Sequence, residues 1–391
     1  MKLDACSLKS LSKMELRVLS AVEMGMKNHE LVPVELIYSI SKLKPSGFRK
    51  GLRQLLFNKL VHHEQRGYDG YRLTNLGYDV LALNTLLCRG SISQIGDKIG
   101  VGKESDVFLA QNEKGNKLVL KFQRLGRTSF RAVKEKRDYL KHRKSASWLY
   151  LSRLAAQIEY RCLKAFYKAE LPVPKPIDAN RHCICMQYIE NSIQLSDATK
   201  LVNPFAVYEK CITMMEKLLK IGVVHGDFNQ FNILLDEHEN VFLIDFPQVI
   251  SINHVDAEYY FEHDLSCLQD FFAKFDLDLC SVAQLSFQEI KKELDTSEHA
   301  KFLNLDEDVD ENNSEDEGNE HMMQSSVNNV ENYNDEAELD YDVEKDKCYS
   351  DIVKKVRDEW KVSESKTSRL RPNMKQSRKA RQEIKSVNSF F

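Results

Sequence analysis

The segment HGDFNQFN, residues 225–232, places the carboxylate of Asp227 five residues before the amide of Asn232. A second carboxylate, Asp245, follows the apolar run VFLI, which predicts a buried strand. Phosphoryl transfer needs one carboxylate to orient the attacking oxygen, and an amide with a second carboxylate to hold magnesium. The spacing is typical of protein kinases, except that Pro247 replaces the glycine of D-F-G. We therefore predict Asp227 and Asp245 as catalytic residues, and Asn232 and Asp245 as magnesium ligands.

The residues that would hold a nucleotide precede this segment in the order that a kinase requires. The stretch IGVGKESDVFLA predicts a glycine-rich turn between two strands, and KLVLKF places Lys121 on the next strand. The predicted helix SRLAAQIEYRCLKAFY offers Glu159 as the acidic partner of Lys121, with Glu170 as the fallback. HCICMQYIEN predicts the strand and hinge that would meet adenine. The predicted ATP-binding residues are Gly100, Gly102, Lys103, Ser105, Lys121, Glu159, Met186, Gln187 and Ile189.

Two parts of this predicted nucleotide site have distinct roles. Gly100 and Gly102 would let the backbone approach the phosphates with its amides directed at them. Met186 would gate the base pocket, and backbone groups of Gln187 and Ile189 would hydrogen-bond the base.

The composition indicates a soluble protein with more than one domain. The 391 residues, 42% of them hydrophobic, suffice for two domains and a tail. The nine cysteines include no C-x-x-C pair, so neither a zinc site nor a disulfide framework is indicated. The start, MKLDACSLKSLSK, lacks the apolar core of a signal peptide, and no run approaches the roughly 20 apolar residues of a membrane span. We expect a reducing compartment and no membrane partner.

Residues 1–90 predict a small helical domain that ends in a hairpin. KMELRVLSAVEMG and VPVELIYSISK have helical apolar spacing, KPSGFRKGLRQLLFNKL predicts a third helix capped by Ser46, and LVHHEQRGYDGYRLT predicts two strands. This order is typical of the winged-helix variant of helix-turn-helix. The third helix leaves Arg49, Lys50 and Arg53 outside, which favours nucleic-acid binding, with protein docking or a purely structural role as the alternatives.

The rest of the chain divides into two lobes and a tail. Residues 91–188 are predicted as an N-lobe with a flexible basic insertion at 124–147, and residues 189–290 as a C-lobe. Residues 300–345 are acidic and predicted to be disordered, and residues 346–391 predict a short helix and a basic tail. Basic density favours RNA or another polyanion, although a solvated loop or a targeting signal is the alternative. The predicted RNA or ribosome contacts are Arg49, Lys50, Arg53, Arg127, Arg131 and Lys134.

The segment after Asp245 also bears on function. The chain has no A-P-E motif and no long activation segment there, so a peptide substrate would lose its usual docking platform. His225 is interpreted as a structural loop histidine, because the kinase template gives the base role to the aspartate.

These stretches together resemble the Rio family of atypical protein kinases. The motifs that carry the resemblance are GVGKESDVF, LKFQRLGRTSFRAVKEKRDY, SASWLYLSRLAA, VVHGDFNQFNILL and LIDFPQ. With the predicted winged helix, the chain is similar to the Rio branch that carries this domain at its N-terminus. The resemblance covers nearly all of residues 1–285 and departs at Val255, where the family usually has a proline.

The resemblance implies an α/β (α+β) fold: a bilobal, minimal protein-kinase-like fold after a winged-helix domain and before a disordered acidic and basic tail. It implies an atypical serine/threonine kinase or ATPase that binds ATP and Mg²⁺ and joins precursors of the small ribosomal subunit (pre-40S), with rRNA, ribosomal proteins and other assembly factors as partners. Hydrolysis would time its release during late rRNA maturation, largely in the cytoplasm with passage through the nucleus. Asp245 would accept a phosphoryl group transiently. We expect a monomer.

Two other functions stay open. Aminoglycoside phosphotransferases also use H-G-D-x-x-x-x-N, but a small hydroxylated substrate would need neither the winged helix nor the basic segments. A non-catalytic RNA-binding scaffold with a relic nucleotide pocket would be expected to have lost a catalytic residue, whereas Lys121, Asp227, Asn232 and Asp245 are all present.

Overall fold

The computed structural model describes residues 11–65, 68–125, 147–275 and 285–295. Outside them lie three predicted RNA contacts, Arg127, Arg131 and Lys134, and the predicted acidic segment, short helix and basic tail. The described residues form an N-terminal domain, a lobe with a five-stranded sheet and a mainly helical lobe, which confirms the predicted fold class for this part of the chain. Within it, no helix combines the length and apolar character that a membrane crossing requires.

The N-terminal domain has the predicted winged-helix arrangement. Its elements are α1 (Lys13–Gly25), β1 (Val32–Pro33), α2 (Val34–Ser41), α3 (Pro45–Phe57), β2 (Val61–Gln65) and β3 (Asp69–Leu73). The strands form an antiparallel sheet in the order β1-β3-β2. The predicted cap of α3 is wrong: Ser46 lies inside the helix, which begins at Pro45 because proline needs no amide partner at the first helical position.

A further helix, α4 (Asn75–Cys88), follows the hairpin and is absent from the sequence-based prediction. Its sequence NLGYDVLALNTLLC lacks a single apolar stripe, as expected for a helix that is buried on most sides. Leu81, Leu83 and Leu86 belong to one hydrophobic core with Phe122 of the following lobe. The winged-helix domain and the N-lobe therefore share a core.

The N-lobe holds the strands on which the nucleotide site was predicted. Its elements are β4 (Gln94–Val101), β5 (Ser105–Gln111), β6 (Lys117–Gln123), α5 (Trp148–Lys168), β7 (Pro176–Asn180) and β8 (Cys183–Gln187). The strands form an antiparallel sheet in the order β4-β5-β6-β8-β7. Alternate side chains of a strand point to opposite faces. The core shared with the winged helix therefore takes Leu118, Leu120 and Phe122, and the other face of β6 carries Lys121.

The C-lobe is mainly helical, with two small sheets. Its elements are β9 (Ile193–Gln194), a 3₁₀ turn (Leu195–Asp197), α6 (Pro204–Lys220), β10 (Val223–Val224), β11 (Ile233–Leu235), β12 (Val241–Leu243), β13 (Ile250–Ser251), α7 (Ala257–Ala273) and α8 (Phe287–Asp295). One sheet has the order β12-β11-β9, and β10 pairs with β13. The core of this lobe includes Leu163 and Phe166 of α5. Since α5 packs into both lobes, its position is fixed relative to each.

Arg124, the first residue of the predicted flexible insertion, is buried in the fold. Its guanidinium donates to Asp79 Oδ2 of α4 at 2.8 Å and to Asp106 Oδ2 of β5 at 2.9 Å. His182 Nε2 lies 2.8 Å from Asp79 Oδ1, and its ring stacks on Tyr78. This network, which we call the Arg124 cluster (Asp79, Arg124, Asp106 and His182), joins the winged-helix domain to the N-lobe sheet.

Candidate active site

Lys121 bridges two carboxylates where the lobes meet. Its Nζ donates to Glu159 Oε1 at 2.5 Å and to Asp245 Oδ1 at 2.7 Å. The lysine comes from β6, the glutamate from α5 and the aspartate from the segment after β12. Glu159 is thus the partner of Lys121, whereas the fallback Glu170 lies beyond the end of α5 with a φ of 57°.

The charges around Lys121 do not balance. Burial opposes the lysine charge, but the carboxylates of Asp245 and Glu159 outweigh burial and raise the pKa of Lys121. Burial also raises the pKa of Glu159, and the charge of Asp245 raises it further, against the attraction of Lys121. Two carboxylates share one ammonium group, so the site has an excess of negative charge that a divalent cation would neutralise.

Gln123 holds the second oxygen of the Glu159 carboxylate. Its Nε2 donates to Glu159 Oε2, and the side chain is buried. Both oxygens of Glu159 therefore have a donor. Gln123 was not predicted, although the alternation of β6 is a usable signal: Val119, Lys121 and Gln123 lie on one face of the strand.

The Asp227 carboxylate is held by two asparagines of the same loop. Asn229 Nδ2 donates to Asp227 Oδ1 at 2.8 Å, and Asn232 Nδ2 donates to Asp227 Oδ2 at 3.1 Å. Burial raises the pKa of Asp227; the Asn232 hydrogen bond lowers it and the nearby charge of Asp245 raises it again. The two predicted catalytic carboxylates are thus close enough to repel each other.

The loop that carries Asp227 requires glycine at the preceding position. Gly226 has a φ of 76°, and a Cβ atom there would lie 2.7 Å from the carbonyl oxygen of Gln248. An L side chain would meet both a left-handed backbone and a backbone clash. The backbone therefore explains why glycine precedes the aspartate in the H-G-D motif of this chain.

Asp264 of α7 anchors this loop and was not foreseen. Its carboxylate accepts from the amides of Gly226 and Phe228, each at 2.8 Å. Burial raises the pKa of Asp264 to about 7, against the effect of these two hydrogen bonds. Its signal in the sequence is an acidic residue on the apolar stripe of α7, between Phe261 and Leu268.

The segment D-F-P has a constrained backbone and a buried phenylalanine. Asp245 has a φ of 68°, which non-glycine residues rarely adopt and which is common at functional sites. Phe246 packs between Phe166 of α5, at 5.1 Å, and His225, at 5.8 Å. Burial lowers the pKa of His225 to about 4, so the imidazole is neutral at physiological pH. The ring lies beside the backbone of Asp227 and Asp245 and packs edge-on against Phe246, so it acts as a packing group.

The glycine-rich turn lies between β4 and β5, as predicted, but one of its amides is used differently. The Gly102 amide donates to the carbonyl of Ser105 at 2.8 Å. It therefore closes the turn and does not point towards a phosphate. Gly100 lies opposite Val107, where a Cβ atom would come within 3.4 Å. Lys103 is exposed at the tip of the turn.

The predicted adenine-binding strand is β8 with the residues after it. Met186 is buried at its end. The Gln187 amide donates to the carbonyl of Lys175 at 2.9 Å and is not available to a base. The Ile189 carbonyl accepts from Ser192 Oγ at 2.8 Å. These two contacts do not involve the Gln187 carbonyl or the Ile189 amide, which are the predicted backbone groups that could still meet a base.

The donor atoms near Asp245 fit magnesium. Asn232 uses Nδ2 to hold Asp227, so its Oδ1 atom and the Asp245 carboxylate are the oxygen atoms that would hold a cation. Mg²⁺ prefers oxygen ligands and is commonly bound by one or two carboxylates plus substrate phosphates. No group of three or more His, Cys, Asp or Glu residues in the described ranges could hold a metal by itself. This set therefore matches a cation site that phosphate oxygens complete.

Three of the predicted RNA contacts belong to the part of the chain that the structure describes. Arg49, Lys50 and Arg53 are exposed on α3 of the winged-helix domain.

Comparisons with known proteins agree with this architecture. The family model described as the RIO domain matches residues 106–285, and the model described as Rio2, N-terminal matches residues 8–89. The serine/threonine-protein kinase rio2 of Dictyostelium discoideum is 53% identical over 274 residues, covering 70% of this chain and 52% of that protein. The RIO2 kinase of Caenorhabditis elegans is 45% identical over 304 residues, covering 77% and 57%. The chain thus spans little more than half the length of these two relatives.

Two further matches cover nearly the whole of the similar protein. The rio2 kinase of Schizosaccharomyces pombe is 42% identical over 306 residues, covering 77% of this chain and 89% of that protein. A crystal structure of the Rio2 kinase–ADP/Mg²⁺–phosphoaspartate complex from Chaetomium thermophilum has a TM-score of 0.68 and 37% identity, covering 84% of this chain and 99% of that one. The chain therefore belongs to the RIO family, in the Rio2 branch that carries an N-terminal winged-helix domain.

Proposed function

We propose that the chain is an ATP- and Mg²⁺-dependent atypical serine/threonine kinase or ATPase. The observation that carries this proposal is the position of Lys121 Nζ, 2.5 Å from Glu159 Oε1 and 2.7 Å from Asp245 Oδ1. A lysine held in this way can contact nucleotide phosphates, and its neighbour Asp245 would hold the metal that neutralises their charge. Support comes from the kinase names of the relatives and from the ADP and Mg²⁺ of the Chaetomium thermophilum complex.

Each residue of the site has a separate task in this reaction. Lys121 neutralises phosphate charge, and Asp245 with Asn232 would hold Mg²⁺, which would neutralise further phosphate charge. Asp227 orients the attacking group, and its own orientation is set by Asn229 and Asn232.

We assign the transient phosphoryl acceptor to Asp245. In the first step a carboxylate oxygen of Asp245 attacks the γ-phosphorus of ATP, the bond to the β–γ bridging oxygen breaks, and ADP leaves. In the second step water attacks the acyl phosphate, inorganic phosphate leaves, and the carboxylate is restored. Support comes from the phosphoaspartate in the Chaetomium thermophilum complex.

The cellular role we propose is late maturation of the small ribosomal subunit, in the cytoplasm with passage through the nucleus. The partners would be pre-40S rRNA, ribosomal proteins and other assembly factors, and hydrolysis would time release. The exposed cations Arg49, Lys50 and Arg53 support an RNA partner. The core shared by α4 and the N-lobe supports coupling between RNA binding and ATP hydrolysis. RNA would bind the winged-helix domain, and this domain packs against the lobe that holds the nucleotide.

A single-turnover assay with γ-labelled ATP and Mg²⁺, followed by an acid quench, tests the chemistry. We expect label on the protein that hydroxylamine releases and that is absent in Asp245→Asn. The matched control is Asp270→Asn, an exposed aspartate of α7 in the same lobe, which should label like the wild type.

Other outcomes of this assay identify the alternative functions. Hydroxylamine-stable label on serine or threonine, or rapid transfer to an added protein, would indicate a protein kinase without an aspartyl intermediate. Rapid phosphorylation of an aminoglycoside would indicate a small-molecule phosphotransferase. Absence of turnover, combined with normal subunit assembly in an Asp227→Ala strain, would indicate a scaffold.

A further inference from the structure

Phe57 is an aromatic side chain that the fold leaves in water. It ends α3 and is 79% exposed, whereas Phe48, Leu52 and Leu55 of the same helix are buried. Burial of a phenylalanine side chain contributes roughly 1.5–3 kcal/mol, and Phe57 gains little of that within this chain. A single exposed apolar residue is ordinary on protein surfaces, so a site needs a second feature.

The second feature is a set of cations on the same side of the helix. Arg49, Arg53 and Phe57 follow one another at four-residue intervals and line one face of α3. Lys50 lies three residues before Arg53, and all three cations are exposed. None of these cations forms an ion pair with another described residue. The face therefore combines uncompensated positive charge with an aromatic ring.

This combination fits single-stranded nucleic acid. Proteins that bind single strands align cations with the phosphates and stack bases on aromatic side chains. The end of α3 adds another cation, because the exposed Lys59 follows Phe57 by two residues, at a backbone turn with a φ of 58°.

The groove geometry of RNA indicates whether α3 binds a single strand or a duplex. The major groove of A-form RNA is deep and narrow, so a helix such as α3 cannot enter it, and sequence-specific binding therefore targets unpaired bases. B-form DNA would admit the helix, but the partner in the proposed function is RNA.

We propose that the outer face of α3 is a binding platform for single-stranded RNA, on which Phe57 stacks against an unpaired base while Arg49, Lys50 and Arg53 contact the flanking phosphates. This inference rests on the proposed function and deepens it, because it names the form of RNA that the winged-helix domain takes.

Fluorescence anisotropy with a short labelled RNA of mixed sequence, single-stranded or annealed to its complement, tests the platform in the full chain. We expect the single strand to bind more tightly. Phe57→Ala should weaken it about tenfold, as for loss of one stacked base, without changing the salt dependence. Arg53→Ala should reduce the slope of log affinity against log salt by about 1. Phe57→Trp should retain binding, and Val202→Ala, which changes a 94% exposed apolar residue of the C-lobe, should have no effect.

The outcomes separate this inference from the function on which it rests. The platform would be overturned if the chain bound single-stranded and double-stranded RNA with equal affinity and if Phe57→Ala bound RNA as tightly as the wild type. Salt-dependent RNA binding in that case would leave the ribosomal role standing. If the wild-type chain binds neither RNA form, the RNA partner of the proposed function fails as well. The hydroxylamine assay reports on the phosphoryl chemistry in either case, and Phe57→Ala should label like the wild type.

Discussion

Two aspartates that both face the nucleotide site have environments that assign them different tasks. Asp245 contacts the ammonium group of Lys121 and offers oxygen to a metal, while Asp227 is fixed on both carboxylate oxygens by the amides of Asn229 and Asn232. A rigid, hydrogen-bonded carboxylate such as that of Asp227 can orient an attacking group. A carboxylate beside a cation site, such as that of Asp245, can bind a metal ion. Loss of Asp245 should therefore affect nucleotide binding, and loss of Asp227 should affect ATP turnover.

Asp245→Ala should abolish Mg²⁺-dependent nucleotide binding, because the cation loses its main anionic ligand. Asp227→Ala should leave ATP bound and reduce single-turnover hydrolysis by at least about a hundredfold, because only transition-state positioning is lost. Equilibrium binding of a fluorescent ATP analogue with and without Mg²⁺, together with acid-quench kinetics, measures both effects. Unchanged Mg²⁺-ATP affinity in Asp245→Ala, or a parallel loss of affinity and rate in Asp227→Ala, would reverse the assigned roles.

At the scale of elements, the catalytic loop depends on α7. The loop itself contains little regular structure, and Asp264 supplies the acceptors for two of its amides. Loops that carry function are usually held by a rigid scaffold. Because the anchor is a buried carboxylate with a raised pKa, the strength of this contact depends on pH.

We predict that Asp264 makes stability pH-dependent near neutrality. Its folded-state pKa of about 7 lies above the ordinary value of 3.8, so the folded state binds the proton more tightly than the unfolded state. The resulting stability is complete below about 3.8 and is lost as pH rises through about 7. Asp264→Asn cannot titrate. The difference in free energy of unfolding, wild type minus variant, should therefore fall as the pH rises from about 3.8 to about 7.

Urea denaturation at a series of pH values measures this difference. Asp270→Asn, on the exposed face of the same helix, is the control and should follow the wild type. A difference between wild type and Asp264→Asn that stays constant with pH would show that Asp264 does not titrate in this range.

At the scale of the whole molecule, the winged-helix domain is built into the kinase-like fold. α4 contributes to a core that contains Phe122 of β6, and Lys121 is its neighbour on the opposite face of that strand. The Arg124 cluster adds a buried polar connection between Asp79 of α4 and Asp106 of β5, the strand that follows the glycine-rich turn. The N-lobe and the winged helix are therefore expected to unfold as one unit.

Asp79→Ala tests this connection. Removal of one partner from a buried ion pair costs about 3–5 kcal/mol when it leaves the other charge unpaired; Arg124 keeps Asp106 as a partner in this variant, so we expect a loss of stability up to that range. We expect that loss in a urea titration followed by far-ultraviolet circular dichroism, with no separate transition for the N-terminal domain. Asp97→Ala, at an exposed aspartate of β4, should change stability little. An early transition in the wild type that Asp79→Ala does not shift would show that the two units fold independently.

Local spacing was sufficient to predict Lys121, Asp227, Asn232 and Asp245 as site residues, because kinase chemistry demands these side chains in this order; their roles stay predictions. The apolar periods were sufficient for α1 to α3 and for the strands that carry the nucleotide site. The helix α4 was not predicted, since a helix buried on most sides has no single stripe to detect.

Other features depended on contacts that no local window contains. Lys121 and Asp245 are 124 residues apart in the chain, and Asp264 meets the amide of Gly226 across 38 residues. Packing of α5 against β6 selected Glu159, and the same packing gave Gln123 its partner. The sequence by itself determined which chemical groups the protein has and the order in which they occur. Only the tertiary structure decided which of them meet, because hydrogen bonds and ion pairs depend on distances of a few ångströms between elements that are remote along the chain.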